Sequence, residues 1–138
     1  MSGCLLDVNV LLACGWKSHA DHPALLGWLS QGNDWATCPL TESGFMRISM
    51  TTAYQATFAD ARKSLATLRA LRGHRFLSDD VDAALLPVLS SYRDTTDAHL
   101  VTLAKRHGLK LATLDRTLLA KPWAAGIAGN PLLQAAQS

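Results

Sequence analysis

The sequence of 138 residues has the length of one ordinary domain, and an apolar fraction of 49% is enough to form a sizeable core. A formal charge of +2 without a dense Lys/Arg run permits contact with a polyanion but excludes a strongly basic tail. Three cysteines without a CxxC pair indicate buried thiols rather than a disulfide framework. Since neither a signal peptide nor a membrane-spanning stretch is visible, we expect one domain over residues 1–138 in a cytoplasmic protein.

The first predicted element is a short buried strand that leads into a helix. The apolar run Cys4–Leu6 ends at Asp7, and Val10–Ala13 continue as a helix, as in a βα unit. Asp7 therefore lies at the carboxyl end of a strand. A second helix is predicted after Asp21, which can cap it, with Pro23 in its first turn.

A second strand and a long helical region follow. The run Trp35–Cys38 predicts a buried strand, and Thr41 is placed to cap a helix whose first turn contains Glu42. The pattern remains helical from Ser43 to Leu71, with a break near Met50–Thr52. Glu42 is therefore the second acid at a junction between a strand and a helix.

The next segment repeats this alternation. A short strand is predicted at His74–Leu77, followed by a helix from Val81 that Pro87 should kink or cut short. The residues from Asp94 to Asp97 resemble a capping box, with Asp94 as the N-cap residue and Asp97 in the first turn. A third acid thus opens a predicted helix.

The last elements complete an α/β pattern. A strand is predicted at Leu109–Thr113 and is followed almost at once by Asp115, while Ala124–Ala128 form a possible edge strand. Strands that alternate with helices indicate a small parallel sheet flanked by helices. The fold class predicted from the sequence is therefore α/β.

Four carboxylates follow predicted strands or open predicted helices. Open α/β sheets bind ligands beyond the carboxyl ends of their strands, so these acids are expected to lie close together. Two unit charges about 4 Å apart repel by about 4 kcal/mol at an effective dielectric near 20, a cost that a bound cation relieves. We therefore predict a site for Mg²⁺ or Mn²⁺. Its acids are Asp7, Glu42, Asp97 and Asp115.

Each acid also has an ordinary structural explanation. Asp97 and Glu42 can complement a helix dipole, and Asp115 can be a helix N-cap. Asp7 is the hardest to explain in this way, because a buried strand delivers it into the crevice. Asp94 competes with Asp97 for the metal, and we prefer Asp97 because Asp94 is better placed as the cap.

Other candidate motifs give weaker signals. His19 and His22 are spaced like metal ligands, but no acid or cysteine completes a zinc set, so surface or capping roles are favoured. The tryptophans are expected in the core, and Trp16 is the one that can face a substrate. No GxGxxG, P-loop or GxSxG motif supports dinucleotide binding, P-loop nucleotide hydrolysis or α/β-hydrolase chemistry.

Four ordered motifs are spread along the chain: Leu5–Leu12, Thr41–Arg47, Thr96–Leu100 and Leu111–Arg116. Together they resemble the PIN-domain ribonucleases of the VapC toxin family. The resemblance implies a PIN-like fold over residues 1–138 and Mg²⁺- or Mn²⁺-dependent RNA cleavage. One departure is that many family members have Asn where Asp115 stands and a later Asp, a place that Leu118 takes here.

Carried over to this sequence, the family's acidic quartet matches Asp7, Glu42, Asp97 and Asp115, which are the implied catalytic and metal-binding residues. Asp7 and Asp97 are expected to bind the metal directly. Glu42 is expected to bind it or to orient the attacking water, and Asp115 to act through water. Asn9 and Thr113 match positions beside this site in the family and are expected to help bind the substrate.

The resemblance also implies partners. A VapC-like toxin is held inactive by a cognate VapB-like antitoxin, whose C-terminal segment lies over the helices after Glu42. A homodimer is usual, with the apolar helices between Phe45 and Leu71 as the expected surface. Arg47, Arg116 and Lys17 can contact the RNA backbone, although as exposed cations they serve equally well as solubilising charge.

Two other readings of the sequence remain open. A PIN-like domain can bind RNA or protein without cutting, but the presence of all four acids argues against this reading. A receiver-like signalling domain expects an acidic pair near the N-terminus and a Lys after a late strand. The first strand here offers only Asp7, and Lys121 is poorly placed for the second requirement.

Overall fold

A parallel sheet forms the middle layer of the protein. The computed structural model describes residues 3–133, and its strands are β1 (Cys4–Leu6), β2 (Trp35–Thr37), β3 (His74–Phe76), β4 (Lys110–Ala112) and β5 (Ala128–Gly129). These five strands pair in the order β3-β2-β1-β4-β5, and all the pairs are parallel. The helices are α1 (Val8–Gly15), α2 (His22–Leu29), α3 (Pro39–Ser49), α4 (Phe58–Arg69), α5 (Thr95–Arg106) and α6 (Arg116–Leu119). None of the helices in this part of the chain is long and apolar enough to span a bilayer.

The central strand β1 is buried on both faces because helices cover both sides of the sheet. Successive side chains of a strand point to opposite faces. Cys4 and Leu6 pack with Leu25 of α2 in one core cluster, whereas Leu5 packs with Leu100 of α5 in the other. All three side chains of β1 are fully buried, and each such leucine contributes about 1.5 to 3 kcal/mol of hydrophobic stabilisation.

The direction in which strands are added reverses at β1. The chain builds β2 and β3 on one side of β1, then returns through α5 to build β4 and β5 on the other side. Open α/β sheets bind ligands at such a reversal, beyond the carboxyl ends of the strands. Asp7 directly follows β1 and Thr113 directly follows β4, so both residues lie at this point.

The predicted strands and the break in the long helical region agree with the structure. The break is longer than predicted, because α3 ends at Ser49 and α4 begins only at Phe58. The predicted edge strand is present but displaced towards the C-terminus. Pro122–Ala124 form a short 3₁₀ helix, and pairing with β4 begins at Ala128.

The predicted helix from Val81 is wrong. The Asp79 carboxylate accepts a hydrogen bond from the Val81 backbone N–H at 3.1 Å, which forms a local turn in place of a helical start. Only a 3₁₀ helix over Ala83–Leu85 follows. Leu86 is extended, as expected for a residue that precedes a proline.

Three predicted helix caps are also wrong in detail. Helix α3 begins at Pro39 with Cys38 as its N-cap, and Thr41, inside the helix, accepts a hydrogen bond from the Cys38 backbone N–H at 3.0 Å. Asp21 and Asp94 occupy the predicted N-cap positions, but neither side chain makes a capping hydrogen bond. The predicted capping box at the start of α5 is therefore absent.

Gly44 allows α3 to lie against the start of α1. A Cβ atom at this position would lie 2.7 Å from Val8 Cγ2, which is closer than a normal contact. Val8 directly follows Asp7, and Gly44 lies two residues after Glu42. This close packing therefore brings two of the predicted acids to the same edge of the sheet.

Candidate active site

Asp7 is a buried carboxylate at the carboxyl end of β1. Its side chain is only 7% exposed, and it accepts hydrogen bonds from the Val8 backbone N–H at 2.8 Å and from the Thr113 hydroxyl at 2.7 Å. Burial raises the pKa of Asp7, the two hydrogen bonds lower it, and the nearby charge of Asp115 raises it further. Asp7 thus caps α1 and also faces a second acid.

Thr113 is the centre of a hydrogen-bond network between β1 and β4. Its fully buried hydroxyl donates to Asp7 and accepts from the Asp115 backbone N–H at 3.1 Å and from Asn9 Nδ2 at 3.4 Å. The Asn9 side-chain oxygen accepts from the Leu114 backbone N–H at 3.1 Å. Asn9 and Thr113 therefore lie beside Asp7, and the buried Thr113 can act only through the groups that it holds.

Asp97 lies in the first turn of α5 and faces the other aspartates. Burial, together with the negative charges of Asp7, Asp115 and Asp94, raises the pKa of Asp97 to about 6, and Lys121 opposes this shift. Within residues 3–133, no hydrogen bond is donated to the Asp97 carboxylate. Its oxygens are therefore available to an external ligand.

Asp115 combines the two roles considered from the sequence. Its Oδ1 atom accepts hydrogen bonds from the backbone N–H groups of Thr117 at 2.9 Å and Leu118 at 3.2 Å, so Asp115 is the N-cap of α6. Its charge also raises the pKa values of Asp7 and Asp97. The cap holds one oxygen in place, while the carboxylate still acts on the other two aspartates.

Glu42 is held by a different set of side chains. One oxygen accepts from the Thr37 hydroxyl at 2.5 Å, and the other pairs with the Arg69 guanidinium at 3.1 Å. Thr37 is the last residue of β2, so Glu42 lies at the same carboxyl edge as Asp7. The structure therefore places all four predicted acids at this edge, with three aspartates acting on one another and Glu42 paired with a resident cation.

A second resident cation lies near Asp97. Lys121 Nζ is 3.2 Å from Asp94 Oδ2, and both side chains are partly buried. Asp94 is the N-cap residue of α5, but its side chain makes this ion pair and no capping hydrogen bond. The ion pair also favours Asp97 over Asp94 as the metal ligand. Within the described residues, Asp94 forms an ion pair with Lys121 and Asp97 forms none.

Several residues of this region carry no distinctive sequence signal. Arg69, Lys121 and His74 contact the acids or their partners across long separations in the chain, whereas Thr37 contacts Glu42 from five residues away. The position of Thr37 near the end of a predicted strand is the one clue that the sequence offers to this group. By contrast, Arg47, Arg116 and Lys17 are exposed and form no ion pair with the acids within residues 3–133.

His19, His22 and Trp16 lie in local or packing contacts. The His19 ring accepts from the Asp21 backbone N–H at 3.0 Å, and the His22 ring is 2.8 Å from the Ala13 carbonyl oxygen. The Trp16 ring stacks on Phe45, with 6.0 Å between ring centroids, and its Nε1–H donates to Ser49. None of these contacts involves the acids.

The donor set fits a hard divalent cation. Asp7, Asp97 and Asp115 provide carboxylate oxygens, and their mutual repulsion would be relieved by positive charge. Within the described residues, no group of three or more His, Cys, Asp and Glu side chains is close enough to enclose an ion. These residues therefore suit a cation that keeps several water ligands and is bound by one or two protein carboxylates.

Comparison with known proteins assigns the family. The family profile for the PIN domain matches residues 4–123. Ribonuclease VapC38 from Mycobacterium tuberculosis (strain ATCC 25618 / H37Rv) is 48% identical over 118 residues, which cover 80% of this chain and 84% of that protein. Ribonuclease VapC39 from the same strain is 43% identical over 124 residues, with 83% and 89% covered.

Solved structures show the same fold at low sequence identity. The VapBC2 structure from Rickettsia felis, bound to a DNA fragment from its promoter, matches with a TM-score of 0.59 and 13% identity, over 93% of this chain and 98% of that chain. PAE2754 from Pyrobaculum aerophilum matches with a TM-score of 0.65 and 20% identity, over 99% and 91%. The predicted PIN-like fold is thereby confirmed. Because the PIN-domain profile matches most of its length and two VapC ribonucleases are more than 40% identical to it, the chain belongs to the VapC family of PIN-domain proteins.

Proposed function

We propose that this protein is a metal-dependent endoribonuclease and the toxin of a type II toxin–antitoxin pair. The observation that carries the proposal is the meeting of Asp7, Asp97 and Asp115 at the carboxyl ends of the neighbouring strands β1 and β4, where their negative charges act on one another. The names of the two relatives, both ribonucleases, support the reaction type. The VapBC2 complex among the structural neighbours is consistent with a toxin fold.

We assign the cation as Mg²⁺ or Mn²⁺, held by Asp97 and Asp7, with Asp115 acting through water. When bound, the cation would polarise the scissile phosphate and lower the pKa of the attacking water. Asp97 is favoured as a ligand because no hydrogen bond within residues 3–133 occupies its oxygens. Asp7 accepts two hydrogen bonds and keeps lone pairs, because a carboxylate has about four acceptor positions.

The chain's own groups set the geometry of the reaction. Thr113 and the Val8 backbone N–H fix the orientation of Asp7, and the helix cap fixes one oxygen of Asp115. Glu42 is assigned to bind the cation or to orient the attacking water. Water adds to phosphorus as the bond to the 3′ oxygen breaks, which leaves a 5′-phosphate and a 3′-hydroxyl.

We assign Arg47, Arg116 and Lys17 to contacts with the RNA backbone, beside the supporting residues Asn9 and Thr113. Phosphate contacts position a nucleic acid without reading its sequence. All three cations are exposed, and Arg116 directly follows Asp115. This arrangement supports binding of RNA across the site without identifying the RNA.

We assign the cognate VapB-like antitoxin to a groove between α2 and α4. The groove has a volume of about 670 Å³ and is lined by apolar and polar side chains, with two lysines and one acid, Asp60. Leu26, Tyr54 and Leu71 give it an apolar floor, and Lys17 and Lys63 suit a segment that also carries acidic residues. The affinity of a candidate antitoxin peptide for the wild type and for a Lys63→Glu variant would test this position, and the variant should bind the peptide more weakly.

We also propose a homodimer in the cytoplasm. Met50 and Phe58, at the adjoining ends of α3 and α4, are about half exposed and support a contact between copies. Cys14 and Cys38 are buried free thiols, which supports a reducing compartment. A monomeric mass at micromolar concentration in solution would contradict the dimer.

The decisive experiment is RNA cleavage by the purified, antitoxin-free chain. Cleavage of total cellular RNA is expected with Mg²⁺ or Mn²⁺ and should be lost with EDTA and in Asp7→Asn. Sequencing of the new ends would show whether they carry 5′-phosphate. Cleavage that persists at the wild-type rate in Asp7→Asn would contradict the assignment of Asp7 to the reaction.

The alternative is a PIN-domain protein that binds RNA or protein without cutting. One observation favours it: the Glu42–Arg69 ion pair neutralises one acid of the quartet. Retention of RNA by folded protein that cuts no RNA pool in Mn²⁺ would support this alternative. The receiver-like reading is excluded by the match to the PIN domain.

A further inference from the structure

Glu42 is held by hydrogen bonds on both of its oxygens. Oε1 pairs with Arg69, whose side chain is 43% exposed, whereas Oε2 accepts from the hydroxyl of Thr37, which is fully buried. The exposed contact exchanges readily with solvent, while the buried one does not. The fixed orientation of the Glu42 carboxylate therefore comes mainly from Thr37.

The direction of the hydrogen bonds around Thr37 follows from chemistry. An ionised carboxylate can only accept, so the single hydroxyl proton of Thr37 points to Glu42. The His74 ring nitrogen Nε2 lies 2.8 Å from the same hydroxyl oxygen. Because that proton is already used, Nε2 must carry a hydrogen and donate it to Thr37. His74 is thus set as the Nε2–H form, and the chain runs from His74 through Thr37 to Glu42.

The surroundings of His74 hold the ring in this position. The ring packs against Trp35, with centroids 4.5 Å apart and planes tilted by 57°. His74 begins β3 and pairs in register with Trp35, the first residue of β2, and Thr37 lies two residues further along β2 on the same face of the sheet. The His74 ring therefore reaches the Thr37 hydroxyl diagonally across that face.

We propose that His74, acting through Thr37, is a positioning residue that holds the Glu42 carboxylate at the nuclease site. The inference rests on the proposed ribonuclease function for the role of Glu42, but the hydrogen-bond chain is independent of that function. The Asp7 site has a comparable support: a buried threonine hydroxyl at the end of a neighbouring strand donates to the acid and accepts from another donor. His74 supplies for Thr37 the donor that a backbone N–H supplies for Thr113.

The first test reads the hydrogen position directly, in the full-length, metal-free protein. Long-range ¹H–¹⁵N spectra of the imidazole rings distinguish the Nε2–H from the Nδ1–H form of a neutral histidine. At pH 8, above the ordinary histidine pKa of about 6.5, the ring is neutral. A His74→Gln sample assigns the His74 signal among the five histidines of the chain.

The expected result is the Nε2–H form for His74 in the wild type, with its Hε2 resonance protected from exchange by the hydrogen bond to Thr37, and loss of that resonance to exchange with water in Thr37→Val. An Nδ1–H form or a mixture of forms in the wild type would overturn the proposal. An Hε2 resonance that is unchanged in Thr37→Val would also overturn it, because Thr37 would then not be the acceptor. This test needs neither metal nor RNA.

The second test separates positioning from packing. Loss of a group that supports an active-site ligand costs about 10- to 100-fold in activity, so His74→Ala should lower kcat by about that factor. KM for a fluorogenic RNA that the wild type cuts should stay within about twofold if binding is unchanged. His74→Gln should recover most of kcat, because its side-chain amide can donate from the place of Nε2.

The outcomes separate the possible failures. The positioning role would be overturned if kcat were unchanged in His74→Ala. It would also be overturned if His74→Ala and His74→Gln lost kcat equally and both had a lowered unfolding midpoint. Failure of the wild type to cut any RNA would contradict the proposed function, while the imidazole spectra would still test the chain from His74 to Glu42.

Discussion

Thr113 donates its hydroxyl proton to Asp7 across 2.7 Å, although the two residues are 106 positions apart in the sequence. The same oxygen accepts the backbone N–H of Asp115 at 3.1 Å. A single buried hydroxyl therefore joins two acids of the site and links the ends of β1 and β4. This relationship makes the geometry of the acids depend on the pairing of the two strands.

Replacement of Thr113 by valine should weaken both activity and stability. The hydrogen bond lowers the pKa of Asp7, so its loss should raise that pKa further and lower RNA cleavage at neutral pH by about tenfold. Buried polar groups left without a partner should cost about 1 to 3 kcal/mol in the free energy of unfolding. Kinetics and urea unfolding measure these two effects.

The matched control for Thr113→Val is Thr102→Val. The Thr102 hydroxyl donates to the Ala98 carbonyl oxygen within α5, at 2.8 Å, and between residues 3 and 133 it has no hydrogen bond to any of the acids. This control should leave cleavage within about twofold of the wild type, because distant independent sites rarely couple. Equal cleavage by Thr113→Val and Thr102→Val would show that the Asp7 hydrogen bond is unimportant to the reaction.

Asp97 should make the metal-free protein less stable as the pH rises. Its pKa is raised to about 6, whereas an unfolded aspartate titrates near about 3.9. Between these values the folded state binds more protons than the unfolded state, so the contribution of Asp97 to stability is present below about pH 4 and lost by about pH 6. Unfolding curves in EDTA across this range should show the decline.

Asp97→Asn should remove this pH dependence. At pH 7 the variant should be more stable than the wild type by about 1 kcal/mol, after allowance for solvent screening of a half-exposed group. At pH 4 the two proteins should have similar stability. Parallel stability curves for wild type and Asp97→Asn would contradict the raised pKa, and Asp97→Asn should cut no RNA at either pH.

The sequence predicts the sheet better than the contacts of the acids. Apolar runs such as Cys4–Leu6 are recognised by period and length, and parallel order follows from their alternation with helices. The ion pairs of Glu42 and Asp94 could not be predicted, because Arg69 and Lys121 lie 27 residues from their partners and carry no local signal. Pairing of this kind depends on tertiary packing.

The wrongly predicted helix from Val81 has a different cause. The run Ser78-Asp79-Asp80 has the composition of a helix cap, but Asp79 binds His99 of α5 at 2.6 Å and also accepts from the Val81 backbone N–H. The acid is therefore used to tie a loop to α5. Local propensity favours a cap at this position, and a long-range contact overrides it.

Gly44→Ala should destabilise the contact between α1 and α3. The new methyl group would lie 2.7 Å from Val8 Cγ2, and overpacking of this kind costs about 1 to 3 kcal/mol. Gly27→Ala in α2 is the matched control. A Cβ there meets no atom within 4 Å, so the control should be stabilised by about 0.5 to 1 kcal/mol through helix propensity. Thermal unfolding of both variants distinguishes local packing from general glycine effects.

Arg69→Gln should strengthen the binding of Mn²⁺. The exposed ion pair with Glu42 is worth about 0 to 1 kcal/mol, so its removal should change unfolding little and free a carboxylate for the metal. The expected gain in Mn²⁺ affinity, measured by calorimetry, is about twofold to fivefold, which corresponds to up to about 1 kcal/mol. Arg62→Gln is the control, because it removes the same charge from an exposed site of the same helix.

An equal gain in both variants would reflect net charge alone, since both lose one positive charge. Weaker Mn²⁺ binding in Arg69→Gln alone would contradict the interpretation of Arg69 as a competing cation. It would mean that the guanidinium holds Glu42 in the orientation that the metal requires. The two outcomes differ in sign, so one titration of each variant decides whether Arg69 opposes or supports metal binding.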